Sequence, residues 1–186
     1  MLIQTHIFDH YTHAKAAIAS LERAGIKSTA ISIMGRGGDD LGSLSLFSAE
    51  NLTTARVGSS LLDAMGLMCI EGVGPLAVAG SLPALVAQSG TSGNDLLMAL
   101  MTFGHKRNDA EILAEAVHRG ATLVCVMIDE GRVGGVSAIL EDNGGVAPED
   151  RGTAYRDEGW THYDAKMPPF TSEQVYQERM RYEDAA

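Results

Sequence analysis

Three histidines and an aspartate crowd the start of the chain, His6, Asp9, His10 and His13 in "THIFDHYTH". His10 and His13 stand one helical turn apart, and His6 lies at the end of the preceding strand. Imidazoles at such a spacing can share a zinc or nickel ion, with Asp9 adding an oxygen. His6, His10 and His13 are therefore the candidate metal ligands. A competing reading needs no metal, because Asp9 can cap the helix that follows and the histidines can simply be solvated. Cys69 in "GLMCIEG" and Cys125 in "TLVCVMID" have apolar neighbours and form no CxxC pair. They read as two reduced, buried thiols without the electropositive setting that activates a cysteine. Serines, histidines and acids are present, but no nucleophile-elbow pattern arranges them, so no catalytic residue and no cofactor is expected.

Two glycine-rich stretches invite a phosphate or cation reading. "GVGPLA" at 72–77 fits G-x-G-x-x-A, and Asp95 follows at about the distance of a ribose-binding acid. A dinucleotide loop must join a strand to an unbroken helix and then to a second strand ending at the acid. Pro83 interrupts the helix, and "SGTSGN" before Asp95 is no strand. "GRGGDDLGS" at 35–43 reads as a solvated loop leading to a short segment around 44–47. A membrane span over 72–94 is disfavoured as well. More than half of that window is Gly, Pro, Ser, Thr, Gln or Asn, and no basic residue flanks it.

Composition narrows the partners. Of 186 residues, 14 are basic and 24 acidic, a formal net charge of −10. Such a chain repels phosphate backbones and anionic lipid, so neither nucleic acid nor a membrane is expected as a partner. The N-terminus lacks the basic and long apolar regions of a secretory signal, which gives an expectation of cytoplasmic residence.

The elements that must position these residues come as two similar units. In the first, a strand ends at Phe8, and a helix follows with Ala14, Ala17, Ile18 and Leu21 as its buried stripe. Gly25 stops that helix, and Ile31 and Ile33 lie in a second strand. In the other, an apolar strand at 121–128 leads to a helix with Val133, Val136, Ile139 and Leu140 as its stripe. Asn143-Gly144 stops it, and a short strand at 145–148 closes the unit. This pattern predicts an α/β (α+β) fold, a ferredoxin-like sandwich with helices on one face of an antiparallel sheet.

A long low-charge insertion, 54–104, separates the units. It reads as helices at 54–70, 75–88 and 94–103. Gly72, Gly74 and Pro75 form the turn of a helical hairpin, and Gly80 stands at a close backbone approach. So few charges require burial against the sheet or against another copy. The following "KRNDAEILAEAVHRG" predicts a helix with Asn108 and Glu111 as a capping box. Ile112, Leu113, Ala116 and Val117 face inward, and His118 and Arg119 complement the helix C-terminus. Residues 1–150 form the expected domain. The tail, 151–186, is polar and carries Trp160, Tyr163 and Phe170, with Thr171 capping a helix that runs to about Tyr182. Aromatics on such a tail must pack either on its own domain or on a neighbouring subunit.

"IFDHYTHAKAAIASLERAGIKSTAISIM", the "EGVGPLAVAGSLPAL" turn, "MTFGHKRNDAEILAEAVHRGATLVCVMID" and "AILEDNGGVAPEDR" together resemble the general stress protein domain family, the heat-induced YflT-like group. The resemblance covers residues 1–150 and lies in the order of features. It implies a bacterial, stress-linked protein and supplies no catalytic residues. The combined expectation is a non-enzymatic homo-oligomer whose contacts include Gly72, Gly74, Pro75, Gly80, Trp160, Tyr163 and Phe170. The alternative is a small-molecule or metal-binding module that uses a cavity between hairpin and sheet, or the His6/His10/His13 cluster.

Overall fold

A computed structural model of the chain describes residues 2–36, 60–90 and 92–183. The loop from residue 37, the segment expected at 44–47 and the first part of the helix expected at 54–70 lie outside the described residues. Strand β1 (Leu2–Phe8), helix α1 (Tyr11–Arg23) and strand β2 (Ile31–Gly35) come first. Strands β3 (Gly66–Ile70) and β4 (Gly74–Ala79) and helices α2 (Ser81–Ser89), α3 (Gly93–Phe103) and α4 (Arg107–His118) follow. Strand β5 (Thr122–Ile128) and helices α5 (Val133–Asp142), α6 (Pro148–Asp157) and α7 (Ser172–Glu183) complete the order. The five strands form one sheet in the order β1-β5-β2-β4-β3, and every neighbouring pair is antiparallel.

Helices cover both faces, where one covered face was expected. Strand β5 is buried at every position except Met127, so both of its sides need apolar partners. Val124 and Val126 point to α1 and α5, into a cluster with Ile18, Leu21 and Leu140. Leu123 and Cys125 point the other way, into a cluster with α2, α3 and α4. The stripe of α1 is as its spacing predicts, with Ala14, Ala17, Ile18 and Leu21 fully buried. Burying a side chain the size of Ile18 or Leu21 contributes about 1.5–3 kcal/mol.

The expected helical hairpin is instead a β-hairpin. Residues 61–64 form one short 3₁₀ turn, 66–70 and 74–79 are paired strands, and only from Ser81 does the chain become helical. The side chains alternate as strands require. Met68, Ile70, Leu76 and Val78 join the α2–α4 face, and Ala77 and Ala79 join the α1 face. Gly72 and Gly74, at φ +79 and +98, make the turn between the strands. Helix α3 matches the expected 94–103.

Gly80 (φ +98) sits where β4 turns into α2 against the backbone of β2. A Cβ there would collide with the Ile31 carbonyl and with Ser32. Its absence lets the Ser32 hydroxyl reach the Leu82 N–H at 3.2 Å. The strand expected at 145–148 is reduced to a single antiparallel bridge between Ile7 and Val146. Pro148 then starts helix α6, inside what reads as the junction to a polar tail.

Candidate functional site

Arg119, at the end of α4, is the centre of a polar cluster that joins α4, α6 and α7. Its Nε donates to Glu115 one turn back at 2.7 Å, and its Nη1 donates to Glu158 at 3.1 Å and Glu178 at 2.9 Å. The guanidinium also lies 4.0 Å from the Tyr155 ring centre and 5.7 Å from that of Phe170. Burial works against its charge, and Glu115 and Glu178 more than reverse that effect, so its pKa lies above the ordinary arginine value. A second cation stands beside it. Arg151 on α6 donates to Asp9 at 2.6 Å and stacks 3.8 Å from the Tyr182 ring centre. Tyr182 in turn donates to Glu158 at 2.9 Å, which Arg181 also pairs at 2.8 Å.

These groups saturate one another. Arg119 and Arg151 each have a carboxylate partner and a ring face, Arg181 pairs with Glu158 and Glu178, and each acid of the set accepts from a cation or a hydroxyl. The cavity between Asp9, Arg119, Tyr155, Glu178 and Arg179 is about 10 Å³, room for roughly one water. Shallow grooves of about 270 Å³ lie along α7 beside Phe170 and Gln177, and between α1 and α5 beside Ile26 and Ile139. The chemistry of the Arg119 cluster is that of a clamp holding the C-terminal helix.

Asp9 serves this clamp, not the N-terminus of α1, whose N-cap His10 makes no side-chain cap bond. The box expected from Asn108 and Glu111 is also absent. Asn108 bonds Asp109 and Arg156, and Glu111 pairs with Arg107. A capping box does form at α3, where Ser92 and Asp95 exchange side-chain bonds with each other's backbone N–H. That assigns Asp95 to a helix terminus and leaves the nucleotide reading no acid.

The histidines do not converge. His6 is fully buried on β1, with Nε2 3.5 Å from Glu141 Oε1 and neither ring nitrogen in a well-aligned hydrogen bond. The His10 and His13 rings meet at a tilt of 57°, with centres 5.1 Å apart. Among the described residues no group of three or more His, Cys, Asp or Glu side chains could hold a metal ion. His6 is fully buried beneath α5, whereas His10 is half-buried and His13 is exposed. The thiols differ too: Cys125 is buried as expected, whereas Cys69 is exposed on β3. Burial pushes the Cys125 thiol up to about 12, so it stays protonated.

The tail aromatics pack within the chain. Tyr163 and Phe170 flank the buried His118 ring at 6.2 and 5.9 Å, and Trp160 meets Tyr155 at 5.9 Å. His118 Nε2 lies 3.2 Å from the Met167 carbonyl oxygen, so it docks the tail rather than facing solvent at the helix end. The space expected between hairpin and sheet is filled by Leu82, Val86, Leu96 and Leu100, all fully buried. Of the expected contact residues, Gly80 packs internally, and Gly74 and exposed Pro75 stand at the turn end of the β3–β4 hairpin. Gly72 lies at the same turn, against the Ala165 carbonyl. Among the described residues no helix is long and apolar enough to cross a membrane. No protein-family model, curated protein or solved structure matches the chain.

Two histidines shielded from solvent, one fully and one in part, predict a pH response. Burial holds His6 below the ordinary histidine pKa, against the pull of Glu141 and Asp150. His105, whose Nε2 lies 3.1 Å from the Thr5 hydroxyl, is lowered by burial against Asp109. Both therefore bind protons more readily in the unfolded chain, whose histidines titrate near about 6.5. Stability should rise with pH up to that value and fall as pH drops below it. Urea midpoints measured from pH 5 to 8 test this, and H6N with H105N should flatten the acid limb.

Proposed function

We propose that the protein is a non-enzymatic, stress-type bacterial protein of the cytoplasm, built on a ferredoxin-like domain and self-assembling into homo-oligomers. The observation that carries the assembly reading is the β3–β4 hairpin. It ends the sheet on one side, and between Asp63 and Asp95 its only charged side chain is Glu71. On a chain of net charge −10, a second copy can approach with least repulsion at such an uncharged margin. The stress-type assignment rests on the family resemblance of residues 1–150.

The ferredoxin-like reading is supported by the path of the chain. Helix α1 carries the chain from β1 to β2 with β5 between them, and α5 packs on the same face as α1. The Val146 bridge lies beyond β1, at the position of a fourth strand. On this reading β3 and β4 extend the sheet past β2, and α2 to α4 cover the face that the two-unit pattern leaves open.

Native mass spectrometry of the full chain tests the function. Ions at multiples of the 19.7 kDa chain mass, without added mass, are the expected result. Single-chain ions at micromolar concentration would count against assembly. A discrete added mass would favour the ligand-binding alternative.

A further inference from the structure

The outer edge of β3 has the geometry of a half-completed strand pair. Strand β3 pairs with β4 on one side, in the register Met68↔Leu76 and Cys69↔Pro75. Pro75 has no N–H, so Cys69 and Pro75 cannot exchange two hydrogen bonds. Cys69 therefore directs its own N–H and carbonyl away from β4. Alternation turns Leu67 and Glu71 the same way. Glu71 is met there by Ser92, through a parallel bridge. Among the described residues nothing pairs with the outward groups of Leu67 and Cys69. The edge also lacks the usual protection, because Gly66–Ile70 contains no lysine, no proline and no charge.

We propose that this edge pairs antiparallel with the same edge of a second copy, around a two-fold axis at Met68, to give a continuous ten-stranded sheet. The inference rests on the self-assembly reading and names its contact. Two arguments select a second copy as the occupant. First, the register follows from the groups available. Centring on Met68 sets Leu67 opposite Cys69 of the other copy in a doubly bonded pair, twice over, and so uses all four open positions. Second, centring one residue earlier would set Asp63 opposite Glu71, like against like, and centring one residue later would drive Leu67, inside β3, into the place that Ser92 already holds beside Glu71. The Met68 register confines the pairing to Gly66–Ile70 of both copies, so each β3 ends before that place.

Cys69 reports on this geometry, since it is exposed while Cys125 is 1% exposed. In the Met68 register the two Cys69 residues are diagonal neighbours, about 7–8 Å apart. A short bis-maleimide on the full-length protein should then yield a covalent dimer whose digest contains a Cys69–Cys69 cross-link, absent in C69S. C69K places a cation beside its own copy on the edge and should halve the particle mass by light scattering, with the far-UV circular dichroism spectrum unchanged. C69S, with its similar size and no charge, should keep the assembly. If wild type, C69S and C69K share one oligomeric mass and no Cys69–Cys69 link forms, this contact is wrong while self-assembly stands. If the wild type is a single chain at every concentration, both are wrong.

Discussion

R119A should lower the unfolding free energy by about 3–5 kcal/mol, the range for removing one partner of a buried ion pair. Arg119 is 10% exposed and its partners Glu115 and Glu178 are 10% and 8% exposed, so both carboxylates would remain largely dry without their shared cation. Arg181 reaches Glu178 and Glu158 but is itself half exposed, and it offers Glu115 nothing. Tyr155 and Phe170 would also lose the guanidinium that lies near their faces. R119K should recover only part of the loss, because a point-like ammonium cannot serve three carboxylates and a ring together. In R119A/E178Q the penalty should shrink, since one stranded carboxylate is gone. Chemical denaturation measures all three. A loss below about 1 kcal/mol in R119A would mean that packing alone holds the tail.

G80A should be destabilising by about 3 kcal/mol or more. An alanine at φ +98 carries a backbone penalty of about 1–3 kcal/mol. Its Cβ would also strike the backbone of β2 at Ile31 and Ser32, and overpacking of that kind costs about 1–3 kcal/mol more. G74A separates the two effects. Gly74 has the same φ of +98, but a Cβ there meets nothing within 4 Å, so only the backbone penalty applies. Thermal melts of the two variants should therefore differ clearly, with G80A the lower. Equal melting temperatures would mean that β2 yields and that the close approach at Gly80 is not a constraint.

What the sequence reveals follows the range of the interaction involved. Helices α1 and α4 are legible because a 3.6-residue apolar stripe is a local signal, and Gly25, Gly120 and Gly144 mark their ends and that of α5 with positive φ. Thr171 is legible for the same reason, and its hydroxyl accepts from the Gln174 N–H at 3.3 Å. The β3–β4 hairpin is misread because a short apolar run with small residues fits either period. The clue lay in the alternation of Met68, Ile70, Leu76 and Val78 around two glycines. Ser92 and Asp95 carry a readable S-x-x-D capping signal, obscured when Asp95 is weighed only as a ribose ligand.

The clamp was beyond sequence reasoning. Arg119 meets Glu158 from 39 positions away and Glu178 from 59, and Arg151 meets Asp9 across 142. Nothing local marks such partners. The same holds at the N-terminus, where Asp9 is drawn to Arg151 and His6 is fully buried while His13 is exposed.

The measurement closest to the central claim is multi-angle light scattering of the full chain over a dilution series from high to low micromolar. A particle of at least two 19.7 kDa chains is expected at the concentrated end, dissociating on dilution if the contact is as small as one strand edge. A monodisperse 19.7 kDa species throughout would contradict it.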